Sequence, residues 1–457
     1  MFSKETYTNR RAALKKSVGS GLLLFLGNDE AGCNYAGNTY PYRQDSTFLY
    51  FFGQPYAGLS AVIDIDNDRE IIFGDELTMD DIVWMGKQPT LNEKCSSAGI
   101  TELMSASAIT DYLKTVQQKG LQIHYLPSYR PEHKLKLWNW LGVLPGMEKP
   151  SIDMIKAVVN LRNYKSEDEI AEIEKACLVT AEMHLAAMRT IRPGIHEYEV
   201  VAAIETVASS HNCNLSFPII ATVNGQTLHN HYHGNPVNDG DLFLVDAGAE
   251  TMMGYAGDMS STTPASHRFT TKQREMYMIQ TAMHDKSVAA LRPGITFEEV
   301  YDISARVMVE GMKEIGLMRG DAEEAVKEGA HALFYPHGLG HMMGLDVHDM
   351  ENLGEVYVGY DGRQKSAQFG RASLRLGRKL ETGFVHTIEP GIYFIPELID
   401  QWKADSKFAC FINYDKVETY KDFGGIRNEE DYLITATGAR LLGKRIPRTV
   451  DEIELFQ

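Results

Sequence analysis

The chain has 457 residues, 44% hydrophobic and 23% charged, and its 45 Lys+Arg against 62 Asp+Glu give a formal net charge of −17. At roughly 150 residues per domain this predicts two or three domains with ample apolar material, which excludes extensive disorder. The acidic balance also excludes nucleic acid as a partner, because phosphate binding rests on Lys and Arg.

The first segment, MFSKETYTNRRAALKK, is charged and helical in pattern. The apolar run from Leu22 to Leu26 is far shorter than the ~20 residues of a membrane span and lacks the shape of a signal peptide. It reads as a buried strand, and no membrane partner is expected. Residues 60–66 (SAVIDID) and 69–73 (REIIF) predict two strands around a turn at Asn67 and Asp68. A domain boundary falls at residues 161–166, so that 1–160 form a smaller α/β domain and 161–457 a catalytic one. Cys33, Cys95, Cys177, Cys213 and Cys410 are scattered without a CxxC pair. That excludes a disulfide framework and predicts a reducing, cytoplasmic compartment.

The second part opens on a long helix pattern over 166–191, with Ser166 and Glu169 spaced as a capping box and Pro193–Gly194 as the stop. The pattern recurs. MH at 183–184 and RPGIHEYEV at 192–200 return as MH at 283–284 and RPGITFEEV at 292–300, 100 residues on without a gap. Two similar α/β units meeting about a pseudo-twofold axis would place a ligand site between them.

Carboxylates and imidazoles then appear at strand ends and in loops. Asp246 closes the apolar run DLFLVDAGAE, where it either opens a turn before Gly248 or carries chemistry. Asp258 follows twelve residues later, beyond Gly254 and Gly257, which suit a hairpin. Two antiparallel strands would set these carboxylates side by side, and a divalent cation between them is the economical answer to their repulsion. In HGLGHMMGLDVHD the glycines and the missing Glu argue against a helical HExxH zinc motif. They favour a loop delivering His337, His341 and His348, or three ordinary histidines. Glu389, in HTIEPGIYF, is flanked by apolar residues and should be buried. Arg427, Glu429, Glu430 and Asp431 crowd the start of a strand, where a solvated charge cluster is the simplest single reading.

Hard oxygen ligands with one imidazole suit Mn²⁺, Co²⁺, Fe²⁺ or Zn²⁺. A set this large can hold two ions about 3.5–4 Å apart. The chemistry that follows is hydrolysis, with a water made nucleophilic near neutral pH and a polarised carbonyl.

Taken in order, DAGAE, GYAGDMSST, HGLGHMMGLDVHD, TIEPGIYF and GGIRNEED resemble the Xaa-Pro peptidases of the pita-bread metallopeptidase family, aminopeptidase P and prolidase. The segment YPYRQDSTFLYFFG resembles the N-terminal domain of aminopeptidase P. The resemblance implies an α/β (α+β) fold with a pita-bread catalytic domain, and cleavage of the bond between an N-terminal residue and a following proline. A strict Xaa-Pro dipeptidase is the alternative. It implies Asp246, Asp258, His341, Glu389 and Glu429 as ligands of two divalent ions, Mn²⁺ foremost. Asp258 and Glu429 would bridge them, and Glu429 would shuttle a proton. It implies further that His229 lines the substrate site, that His348 contacts the scissile carbonyl or tetrahedral intermediate, and that His337 stands behind the ligands. Arg427 and Arg375 are expected to bind substrate. Arg375 would grip the carboxylate of a C-terminal proline, unless it belongs to a solvated basic run with Arg371, Arg378 and Lys379. A homo-oligomer, dimer or tetramer, is expected as well. The sequence departs from the family at Asn428, at Thr382 and in the histidine-rich LHNHYHG, but no ligand is missing. The complete set argues against a metal-free relative such as the amidinohydrolase with the same fold, and against a non-catalytic binding protein.

Overall fold

Apolar strands and their turns shape the N-terminal part of the computed structural model, which describes residues 1–456. Strands β1 (Leu22–Leu26), β2 (Ser60–Asp64), β3 (Arg69–Phe73), β4 (Glu102–Met104) and β5 (Ile123–His124) form one sheet in the order β4-β3-β2-β1-β5. The run Leu22–Leu26 is a buried strand, as its composition required. β2 ends two residues earlier than the apolar pattern suggests. There Asp64 turns its side chain to the backbone N–H of Asn67 at 3.1 Å, and Asp68 takes a positive φ of 51°. Asp and Asn favour such turns because their side chains replace backbone partners.

The chain divides into two compact units, Met1–Arg162 with Met350–Tyr357, and Asn163–Asp349 with the chain from Val358 onward. Among the described residues no helix is long and apolar enough to cross a membrane.

The second unit is built twice. Helix α1 (Glu167–Thr190) starts at Ser166, whose hydroxyl accepts the Glu169 N–H while the Glu169 carboxylate accepts the Ser166 N–H. Such a cap is worth ~1 kcal/mol. Helix α2 (Glu197–Ser210) packs against α1, and α3 (Thr271–Ala290) and α4 (Phe297–Glu314) pair in the same way. The RPGI turns between the helices do the same work in both halves. The Gly194 N–H donates to Val237 O at 2.9 Å and the Gly294 N–H to Leu380 O at 2.8 Å. Val237 N–H returns a bond to Ile195 O, and Leu380 N–H one to Ile295 O, both at 2.8 Å. Each turn thereby docks one extended segment, 235–237 or 378–380.

Beside the helices lie β6 (Ile220–Thr222), β7 (Leu242–Ala247) and β8 (Met259–Pro264), in the order β8-β7-β6. Their counterparts are β9 (Val385–Ile388), β12 (Glu430–Ile434) and β13 (Ala439–Leu441), in the order β9-β12-β13; β10 (Gly391–Tyr393) and β11 (Gly425–Arg427) form a short pair. Met183, Ile204, Phe243 and Val245 fill the first half-core, each such burial being worth ~1.5–3 kcal/mol. The halves are stitched where the Glu429 N–H donates to Ser260 O at 3.0 Å and the Thr262 hydroxyl to Arg427 O at 2.9 Å. That seam brings the end of one half-sheet against the start of the other.

Candidate metal centre

The two aspartates reach one place because the chain between them is a tight hairpin. β7 and β8 pair antiparallel with Asp246 opposite Ser260. Asp258, two residues before Ser260, therefore lies diagonally from Asp246 on the same face. The hairpin needs glycine at its waist. A Cβ on Gly248 would sit 1.9 Å from Gly257 O and 2.3 Å from Ser216 Oγ.

His341 arrives on an irregular, glycine-rich stretch rather than a helix. Its backbone lies against β9, with the Thr387 N–H donating to His341 O at 3.0 Å. Gly340 permits that approach, since a Cβ there would meet Thr387 O at 2.3 Å. The His341 Nδ1–H donates to Met342 O at 3.1 Å. This fixes the ring and leaves the Nε2 lone pair facing the carboxylates. Nε2 stands 3.3 Å from Asp258 Oδ2, 3.9 Å from Glu389 Oε1 and 4.0 Å from Glu429 Oε1. One donor atom each from Asp258, His341 and Glu429 falls within a 4.8 Å cluster. Asp246 joins them through its charge, which acts on Asp258, Glu389 and Glu429.

The charge cluster at 427–431 is not a solvated face. Arg427, Glu429, Glu430 and Asp431 are all buried. Glu389 is less enclosed than its apolar flanks suggest, with 18% of its side chain exposed. Its strand ends there, and the carboxylate turns out of the core.

Like charges this close are unstable without a counter-ion. Burial, then Glu429 and Asp246, hold the Asp258 carboxyl well above the usual range. Burial, then Glu389 and Asp246, do the same to Glu429. Burial pushes Glu389 up to about 7, with Arg427 opposing and Asp246 adding. Asp246 Oδ1 and Asp258 Oδ1 are buried without a hydrogen-bond partner. Orphaned anionic oxygens beside one neutral imidazole fit a divalent cation.

The Arg427 guanidinium donates to Asp246 Oδ2 at 2.6 Å, Tyr393 Oη at 2.9 Å and Ser260 Oγ at 3.0 Å. With these three bonds and a side chain only 4% exposed, it orients Asp246. Tyr393 passes the chain on by donating its hydroxyl to His337 Nε2 at 2.8 Å, while the His337 Nδ1–H donates to Gly338 O at 2.7 Å. His337 Nδ1 lies 3.7 Å from Glu389 Oε2, and burial pushes its pKa down to about 3. It is a neutral prop behind the cluster.

His348 meets the His341 ring edge-on, 4.2 Å between centroids. His229 lies at the surface, close enough for the charges of Arg427, Asp246 and Arg375 to act on it. Arg375 is half-buried and its charge reaches His229, His337, His341 and Glu389. Both other arginines of its basic run look elsewhere, Arg371 pairing with Asp302 and Arg378 with Glu381.

Residues 171–436, more than half of the chain, match the model of metallopeptidase family M24. The chain belongs to that family. Residues 7–124 match the aminopeptidase P N-terminal domain. An Escherichia coli (strain K12) Xaa-Pro aminopeptidase is 31% identical over 472 residues, covering 99% of this chain and 97% of the relative. A Rattus norvegicus Xaa-Pro dipeptidase is 30% identical over 421 residues, covering 90% and 84%. Zn-substituted E. coli aminopeptidase P in complex with product superimposes with a TM-score of 0.80 at 29% identity, covering 100% of this chain and 98% of the other. Proline aminopeptidase P II from Yersinia pestis gives 0.82 at 29%, covering 100% and 99%. A chain of this metallopeptidase family binds divalent metal, and Asp258, His341 and Glu429 are grouped closely enough to hold an ion.

Three residues of the centre went unread in the sequence, and a fourth, Asp431, was read only as one of a charge cluster. Ser260, Thr387, Tyr393 and Asp431 hold ligands or their neighbours; the Asp258 N–H, for example, donates to Asp431 Oδ2 at 3.0 Å. Period-two spacing carried a signal for two of them, since Ser260 and Asp431 each stand two residues from a ligand on an extended backbone.

Proposed function

We propose that this M24 chain is a metalloaminopeptidase that hydrolyses the bond between an N-terminal residue and a following proline, on Xaa-Pro dipeptides and on longer peptides. The observation that carries it is the meeting of buried Asp258, His341 and Glu429, drawn from both halves of the repeat, within 4.8 Å, with Glu389 3.9 Å from His341 and the charge of Asp246 acting on the carboxylates. Two divalent ions, Mn²⁺ foremost, would suit a set of five such donors, and Asp246, Asp258, His341, Glu389 and Glu429 would hold them. Residues 1–160 serve as the aminopeptidase P-like N-terminal domain and 161–457 as the catalytic one. The chain works in the cytoplasm as a homo-oligomer, dimer or tetramer.

When bound, the metal supplies Lewis-acid polarisation of the scissile carbonyl and lowers the pKa of the attacking water. Glu429 takes the proton released in the attack, on the oxygen that Ser260 does not hold; the Ser260 hydroxyl donates to the other, Oε2, at 2.8 Å. His348, edge-on to His341, donates to the oxyanion as it develops. His229 and Arg375 bind the peptide from two loops whose charges meet at the centre.

Arg375 decides how length is read. On a dipeptide it pairs with the carboxylate of the C-terminal proline; on longer peptides no carboxylate stands there. Arg375→Ala should therefore lower kcat/KM for an Xaa-Pro dipeptide by about 10- to 150-fold, the value of one charge-assisted bond. An Xaa-Pro tripeptide should be affected less, and an Xaa-Ala tripeptide should be a poor substrate of the unmodified enzyme. Equal losses on both proline peptides would remove the carboxylate grip. Equal cleavage of the Xaa-Ala control would overturn the proline reading itself.

A further inference from the structure

Away from the metal centre, the first residue of α2 is a carboxylate with 0% exposure, Glu197. It accepts four hydrogen bonds, all from chain between 222 and 235. The Thr222 hydroxyl and Val223 N–H reach Oε1 at 2.8 and 2.9 Å. Asn235 reaches Oε2 with its backbone N–H at 3.1 Å and its side-chain amide at 2.9 Å. The grip extends inward. Thr222 Oγ1 accepts from the Asn224 N–H at 2.9 Å and from Asn230 Nδ2 at 3.0 Å, and Asn230 Oδ1 accepts the Tyr232 N–H at 3.1 Å. Both ends of the loop 223–235, which carries His229 and His231, are thus tied to one buried carboxylate.

The internal repeat shows what the fold alone asks for at this position. One hundred residues on, the place of Glu197 is taken by Phe297, also 0% exposed and packed against His386 with ring centroids 5.0 Å apart. The backbone bond is the same in both copies, Glu197 N–H to Asn235 O at 3.1 Å and Phe297 N–H to Arg378 O at 3.0 Å. An apolar side chain satisfies the architecture, so the turn does not require a buried carboxylate, which is the costlier choice. What differs between the copies is the loop that follows. In the second half it delivers Arg375; in the first it delivers His229, and three of the four bonds of Glu197 end on that loop, the fourth on Thr222 just before it.

We propose that Glu197 is a positioning residue for substrate, holding the 223–235 loop so that His229 faces Asp246 and Arg427. The proposal rests on the Xaa-Pro peptidase reading. Glu197 acts through the loop and touches neither the ligands nor the reacting atoms.

The test uses the full-length Mn²⁺-loaded enzyme, an Xaa-Pro tripeptide, metal analysis and amide hydrogen exchange. Glu197→Gln turns one of two acceptor oxygens into a donor facing donors. KM should rise about 10-fold while kcat falls no more than about 3-fold, the pattern of lost substrate binding rather than lost chemistry. Bound metal should stay at the wild-type level, and exchange should quicken across 223–235. Glu197→Asp should restore part of the KM. Asn230→Ala, on the loop itself, keeps the fold if the Glu197 variants do not, and should raise KM in the same direction by less. An unchanged KM with faster loop exchange would overturn the proposal, as would loss of metal together with activity. Wild-type enzyme that ignored proline peptides would instead overturn the peptidase reading, and the proposal with it.

Discussion

His348 and His341 lie ring to ring at 4.2 Å, yet the arrangement gives them different work. His341 turns Nε2 to three carboxylates, whereas His348 is half-buried beside it. Removing one donor to a developing oxyanion costs about 10²–10³ in kcat. His348→Ala should show a loss of that size with bound metal unchanged, measured by kinetics alongside metal analysis. Loss of metal with activity would make His348 a ligand support instead. At this scale the candidates were legible, because Asp246, Asp258, His341, Glu389 and Glu429 each sit in a motif of their own, and Asp258, His341 and Glu429 meet within 4.8 Å. Their supports were not. Tyr393 links Arg427 to His337 across 34 and 56 residues of chain, and no spacing rule spans such distances. The same holds for Arg427: its charge is visible in the sequence, but its engagement with Asp246, Tyr393 and Ser260 is a tertiary fact.

Elements bring the ligands together through backbone contacts that glycine alone allows. Gly248 is the sharpest case, because no ligand is changed by altering it. The Cβ of Gly248→Ala would fall 1.9 Å from Gly257 O and force the β7–β8 hairpin apart. Overpacking of this kind costs about 1–3 kcal/mol or more. The variant should unfold at lower denaturant and bind metal more weakly, which denaturation and metal titration would read. Stability and metal affinity equal to wild type would mean the hairpin yields locally. Helix starts and strand runs were readable from caps and periodicity, as Ser166 with Glu169 and the run Leu22–Leu26 show. Register was not. That Asp246 faces Ser260, with Asp258 on the diagonal, depends on where the hairpin turns between Thr251 and Gly254.

For the molecule as a whole, the repeat is the feature that sequence and structure state alike. The RPGI turns dock 235–237 and 378–380 by matching bonds, and the clustered Asp258, His341 and Glu429 come from both halves. The molecule also carries buried histidines remote from the centre, which set its response to acid. Burial first, and Arg371 second, push His331 down to about 3, and the ring accepts the Tyr301 hydroxyl at 2.9 Å. Unfolded, the same imidazole titrates near ~6.5. Between those values the unfolded chain binds one proton more, so stability rises with pH across the window and is lost as pH falls through it. His331→Gln should flatten the pH dependence of the denaturation midpoint between about pH 6 and 4, by up to ~1.4 kcal/mol per pH unit. An unchanged slope would mean that His331 stays uncharged in the unfolded chain or gains its proton in the folded one.

The central claim is that five side chains from two half-domains hold divalent metal and that hydrolysis depends on it. It is tested most directly by stripping the protein with a chelator, confirming the absence of metal, and following cleavage of an Xaa-Pro tripeptide as Mn²⁺ is returned. The account predicts no turnover in the stripped protein, recovery that saturates with added Mn²⁺, and a thermal midpoint that climbs with it, since a ligand of the folded state stabilises by mass action. Full turnover in thoroughly metal-free protein would contradict it.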